Sequence, residues 1–239
     1  MEPFALTLFK PSMMKNAKPE IRVGARGWNF EQWGGEFYPD DLPEDWRFSF
    51  YSNDFQTVLI PASYLTQFSL DDWVEWIEDT SKEFWFYIEI SETDSWQEVE
   101  PYLQVFSDKL KGIVVAVETL TSVDALASLI NKAKLVAPVS IRRIGGTISD
   151  HDMATLQSCY EVNECWDGES DTPRWSYNDS AAILLRDADN DNSPEVIRQL
   201  VEKGIEYAGR CDSIALIFTG ASPKISDMQN TRTITDLLA

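Results

Sequence analysis

Ile21-Arg-Val-Gly-Ala-Arg-Gly-Trp28, with Trp33-Gly-Gly-Glu-Phe-Tyr-Pro39 soon after it, is the stretch on which the fold turns. Residues 21–25 form a short, largely apolar run of the kind a buried strand requires. Gly24 and Gly27 bound a tight turn, because glycine accepts backbone angles and close approaches that a Cβ forbids. The aromatic-rich loop that follows reads as the mouth loop of a barrel.

Working outward, similar short runs recur at 57–60, 84–90, 112–117, 138–142, 160–166, 181–185 and 213–218, most of them apolar on both faces. Strands covered by helices on one side and by a core on the other have that composition. Helical stretches separate them, with recognisable starts. Ser69 precedes 71–79, Ser95 opens 96–110, Ser122 opens 123–134, and Ser193-Pro194-Glu195 stands ahead of 196–208. The alternation predicts parallel βα units and, most economically, a single (β/α)8 TIM-type barrel of the α/β class. An open doubly wound sheet is the alternative. Residues 167–180 lack periodicity and read as a long loop in place of a helix. No linker divides the chain, so one domain is expected over 21–239, preceded by a loose arm at 1–20.

The 239 residues are enough to bury a proper core. Forty acidic against 20 basic residues leave a formal charge of −20, which repels phosphate backbones and anionic lipid. Nucleic acid and membrane are therefore not expected partners. Cys159, Cys165 and Cys211 are odd in number and irregular in spacing, so they suggest neither a disulfide framework nor a zinc site, and a reduced cytoplasmic setting fits them. Residues 1–20 lack the basic start and cleavage site of a signal peptide, and no apolar run approaches bilayer-spanning length. No metal and no cofactor are expected.

With the strands placed, the residues resemble the YecE-like family, bacterial domain of unknown function seventy-two, whose members look like TIM barrels. The family's Gly-x-x-Gly-Trp and Trp-x-Gly-x-Phe-Tyr-Pro are matched by Gly24, Gly27, Trp28, Trp33, Gly35, Phe37, Tyr38 and Pro39, and its next block by Tyr51, Phe55, Val58 and Tyr64. Polar positions depart from the pattern. Leu59 and Pro61 stand where the family carries Glu and Asn, and Glu89 where it carries Lys. Ser140-Ile-Arg-Arg143 keeps Arg142 but lacks the family's Glu and His; the block from Ile183 keeps Arg186 but lacks a His; Phe218-Thr-Gly220 replaces Phe-Asn-Asn. The resemblance implies a retained barrel framework around an altered, partly lost polar site.

In a barrel, residues at strand C-termini surround one mouth. Here these are Arg26, Trp28, Glu89, Glu118, Arg142, Arg143, Glu164, Trp166, Arg186 and Asp187. Two readings of the arginines stand side by side. The rigid guanidinium fork grips carboxylate or phosphate, so Arg142 and Arg186, assisted by Arg26, Arg143 and Trp28, would bind a small anionic ligand. Alternatively, the same arginines neutralise the acids beside them. Glu89 and Glu118 end consecutive strands and are the catalytic candidates for a glycosidase-like hydrolase. A non-catalytic interaction or scaffold protein is the third class.

Other features read as structure. His151, the single histidine, sits among aspartates at a helix start and cannot build a triad by itself. Asp187–Asn192 has the acid spacing of half a calcium loop, yet Arg198 occupies the position that needs a bidentate Glu. Gly145-Gly146-Thr147 reads as a flexible loop.

Overall fold

A computed structural model describes residues 18–119, 123–145, 148–168, 173–175, 182–208 and 211–238. Its strands are β1 (Glu20–Arg26), β2 (Thr57–Pro61), β3 (Trp85–Ser91), β4 (Leu110–Val117), β5 (Val139–Arg143), β6 (Asn163–Glu164), β7 (Ala182–Asp187) and β8 (Ser213–Thr219). They form one sheet ordered β6-β5-β4-β3-β2-β1-β8-β7, with every pair parallel. The two ends meet at a single bridge. Trp166 N–H donates to the Ile183 carbonyl at 2.9 Å, and Leu185 N–H donates to the Trp166 carbonyl at 2.7 Å. That closure excludes the open sheet and makes the fold an α/β barrel of the TIM type.

The helices are α1 (Arg47–Asp54), α2 (Ala62–Leu65), α3 (Leu70–Asp79), α4 (Trp96–Phe106), α5 (Val123–Lys134), α6 (Asp150–Tyr160), α7 (Pro194–Tyr207) and α8 (Ile225–Leu238). Ser69 caps α3 in a reciprocal box with Asp72, and the Ser149 hydroxyl accepts from Asp152 N–H at α6. Ser193 takes the cap position of α7 without a side-chain bond, leaving Pro194 to set the first turn. Two boundaries differ from expectation. Tyr160 ends α6 instead of opening a strand, because Glu161 adopts the left-handed conformation (φ 52°) that terminates a helix, and β6 shrinks to two residues. Helix α4 stops at Phe106, since the chain turns at Ser107–Lys109 and Leu110 already belongs to β4. The loop expected at 167–180 is described only at 167–168 and 173–175, which take neither helix nor strand. The arm at 1–20 falls almost wholly outside the described residues.

Side-chain parity divides the core in two. Leu59, Trp85, Tyr87, Val114, Ile183, Leu185, Ala215 and Ile217 pack with one another inside the barrel. Their neighbours in sequence, such as Val58, Phe86, Val115, Leu184 and Leu216, pack outward with helix residues. The opening motif belongs to the outer layer. Trp28 is 3% exposed and meets Phe48, Tyr64, Trp73 and Trp76 at centroid distances of 4.8–6.0 Å. Trp33 donates from Nε1 to the Pro223 carbonyl at 2.7 Å, and the Tyr38 hydroxyl donates to the Trp28 carbonyl at 2.6 Å. The Tyr51 hydroxyl accepts from Ala25 N–H and donates to the Thr57 carbonyl, each at 2.8 Å, so one phenol links β1 to β2. A Cβ on Gly24 would stand 2.0 Å from the Thr57 carbonyl oxygen, which is why this position is glycine.

Candidate functional site at the barrel mouth

Alternation decides which strand-end residues share the mouth. On β1, Ala25 packs toward the helices, so Arg26 turns inward; on β3, Glu89 lies between the outward Ile88 and Ile90; on β5, Arg142 follows the outward Ile141. These three residues meet. Arg26 donates from Nε and Nη2 to Glu89 Oε1 at 2.8 and 2.6 Å, and Arg142 donates from Nη1 to Oε2 at 2.8 Å. The Glu89 side chain is 6% exposed, against 36% and 23% for Arg26 and Arg142. One buried carboxylate thus carries two guanidiniums, and the cluster keeps one positive charge in excess. It lines a depression of about 380 Å³ with Pro61, Ser91, Asp94, Glu118 and Ile144, so two guanidiniums and three carboxylates border the whole depression. Glu118 is exposed, and its backbone N–H is held by the Glu92 carboxylate.

Arg142 also borders a second cavity of about 580 Å³, lined by Cys165, Leu185, Asp187, Asn190 and Thr219 on one side and by Arg143, Glu164 and Arg174 on the other. Arg143 and Glu164 belong to the outward parity and pair at 2.5 Å; Arg143 reaches Asp150 at 3.0 Å, and Arg174 binds Asp150 at 3.0 Å and Glu164 at 3.5 Å. Two arginines and two acids balance there. Hydrogen bonds from Arg143 and then Arg174 hold the Asp150 carboxyl below its ordinary value of 3.8. Burial drives the Cys165 thiol pKa well up, with Arg142 opposing, so this thiol is a poor nucleophile.

The remaining candidates lie elsewhere. Arg186 has the outward parity and is 6% exposed; it donates to Asn192 Oδ1 at 2.8 Å and to the Asp191 carbonyl at 2.5 Å, so it braces the loop after β7 from behind. In that loop Asp187 accepts from Asp189 N–H and Asp191 from Ser193 N–H, which is how the calcium-like acids are used. Trp28 lies in the outer aromatic layer, without a face at the mouth. His151 is exposed on the first turn of α6. Gly145 closes the described part of its loop, with Gly146 and Thr147 outside it. Arg174 is the mouth residue that sequence reasoning missed. It sits in the loop after β6 and is brought to Glu164 by tertiary contact alone, partly through Trp175, whose Nε1 donates to the Glu164 carbonyl at 3.1 Å.

Comparison with known proteins adds a family to this geometry. A family model described as "Protein of unknown function DUF72" matches residues 22–130. No curated protein sequence matches the chain. Among solved structures, a DUF72 family protein from Thermotoga maritima superposes with a TM-score of 0.68 at 16% identity, over 92% of this chain and 99% of that one. A DUF72 protein from Enterococcus faecalis gives 0.60 at 13% identity, over 92% and 98%. Phosphoribosyl anthranilate isomerase from Thermotoga maritima gives 0.50 at 10%, over 92% and 99%, a likeness of barrel alone. The match covers the opening glycine and aromatic motif, and the departures in polar residues agree with the low identity. Residues 22–130 thus match the DUF72 family model, the barrel as a whole is similar to DUF72 structures, and the low identity fits a diverged member of that family.

Proposed function

We propose that the barrel binds a small ligand bearing a carboxylate or phosphate at its C-terminal mouth, on the Arg26–Glu89–Arg142 cluster. One observation carries this reading: two inward guanidiniums share a single buried carboxylate, which leaves guanidinium donors over at the mouth, while of the other acids lining the depression Asp94 is held by Ser91 N–H and Glu118 is exposed. Arg142 spends only Nη1 on Glu89, and its Nε and Nη2 make no hydrogen bond among the described residues. Such donors, fixed in direction and partly withdrawn from water, suit a planar or tetrahedral anion. Arg143 contributes to the wall through its own balanced network, and Arg186 supports the loop behind. The hydrolase reading is weaker on geometry, because both oxygens of Glu89 already accept guanidinium hydrogens and are not free to attack or protonate a substrate. The free thiols and acidic composition favour a reduced, cytoplasmic setting.

Titration calorimetry with inorganic phosphate and a panel of phosphorylated and carboxylated metabolites tests the proposal. A binder is expected among them, and Arg142→Ala should weaken it by about 1.5–3 kcal/mol. Absence of any binder for the wild-type protein, or an unchanged affinity in Arg142→Ala, would overturn it.

A further inference from the structure

In the outer helical layer, a groove of about 590 Å³ runs between α3 and the segment formed by the turn Glu44–Trp46 and α1. Its apolar lining is aromatic. Trp46 is 66% exposed, an unusual state for so large a ring, while Phe68 and the half-buried Trp76 pack edge to face at 4.8 Å. Around these rings stand Asp45, Asp72, Glu75 and Asp79, and the lining contains no lysine, arginine or histidine. None of the four acids enters an ion pair among the described residues, although Asp72 accepts from Ser69 in the α3 cap and Asp79 accepts from the Ser49 hydroxyl at 3.3 Å.

We propose that this groove binds a linear aliphatic polyamine. The negative faces of indole and benzyl rings attract ammonium groups, and methylene stems cover apolar ring surface, so aromatic rings flanked by acids complement a chain of cations and methylenes. Spacing favours a linear ligand over a compact one: Asp72, Glu75 and Asp79 follow one another at i, i+3 and i+7 along one helix face, a rise of about 10 Å. An extended peptide fits less well. Both walls are largely helical, with their backbone groups bonded internally, so the groove offers no strand edge to satisfy a peptide's own amides.

Calorimetry and tryptophan fluorescence with spermidine, at constant ionic strength, read the proposal directly. Saturable binding is expected for the full chain. Trp46→Ala should weaken it about three-fold, and Glu75→Gln with Asp79→Asn about ten-fold, each without a large change in melting temperature. Glu195→Gln with Glu206→Gln, a charge-matched pair on α7, should leave it unchanged. An equal loss in the α7 pair, equal competition by magnesium ion, or an unaffected Trp46→Ala would reduce the effect to diffuse counter-ion binding and overturn the site. Tighter binding of tetralysine than of spermidine would overturn the choice of ligand.

Discussion

Replacing Glu89 by glutamine should lower stability and raise anion affinity together, and these opposite signs test the reading of the mouth. The wild-type carboxylate accepts three guanidinium hydrogen bonds of 2.6–2.8 Å while only 6% exposed. Bonds to charged groups contribute about 1.5–3 kcal/mol each, which sets a ceiling near 5–9 kcal/mol for losing all three. Much of that is recovered. Arg26 and Arg142 are 36% and 23% exposed, so water can replace the lost acceptor, and glutamine keeps one carbonyl oxygen. A net loss of about 2–4 kcal/mol follows, or roughly 5–15 °C in melting temperature for a chain of this size. Urea denaturation and calorimetric melting measure it. At the same time the cluster gains a second uncompensated positive charge, so inorganic phosphate should bind several-fold more tightly at low ionic strength. A stability loss below about 1 kcal/mol would show that the triad is not the anchor its geometry suggests. Weaker phosphate binding in the variant would remove the mouth from consideration as an anion site.

Gly24→Ala should destabilise the barrel by about 2–4 kcal/mol in urea melts, since its Cβ would sit 2.0 Å from a strand carbonyl and must push β1 from β2; a change within 0.5 kcal/mol, roughly the range of surface substitutions, would contradict that packing. Leu59→Glu, which puts an acid at a fully buried interior position, should cost about 3–5 kcal/mol, because Arg26 beside it is already committed to Glu89; a near-neutral effect would show that Arg26 changes partner. Asp150 has a folded pKa below 3.8, so its pairs with Arg143 and Arg174 stabilise the fold above that value and are lost as pH falls through the lower folded one. Asp150→Asn should therefore flatten the acid limb of the stability curve, and an unchanged limb would show that these pairs do not contribute.

Much of the barrel was legible because strand and helix signals are local. Residues 21–25, 57–60 and 213–218 are largely apolar, and the structure places all three as adjacent parallel strands. Helix α3 was equally plain, since Ser69 and Asp72 cap it through neighbours three residues apart. Helices α1 and α8 are not legible in the sequence. Their buried residues, Phe48 and Tyr51 in one and Ile225, Met228, Thr231 and Thr235 in the other, are interleaved with serine, asparagine and threonine, which weakens the periodic signal. At Tyr160 a β-like run overlaps the end of a helix, and only the left-handed turn at Glu161 separates them.

The amino-acid sequence by itself determined the order and character of the elements and the glycine and aromatic framework. These depend on composition and on spacings of a few residues. Tertiary structure alone decided which of the retained arginines face one another. A strand alternates sides at every residue, so a shift of one position moves a side chain from the barrel interior to the helical layer, and no local pattern separates Arg142, which turns in, from Arg186, which turns out. The same holds for Glu89 between two guanidiniums and for closure through Trp166, which exist only once the sheet curls shut, and for Arg174, which an irregular loop carries back to Glu164 with no local periodicity to signal it.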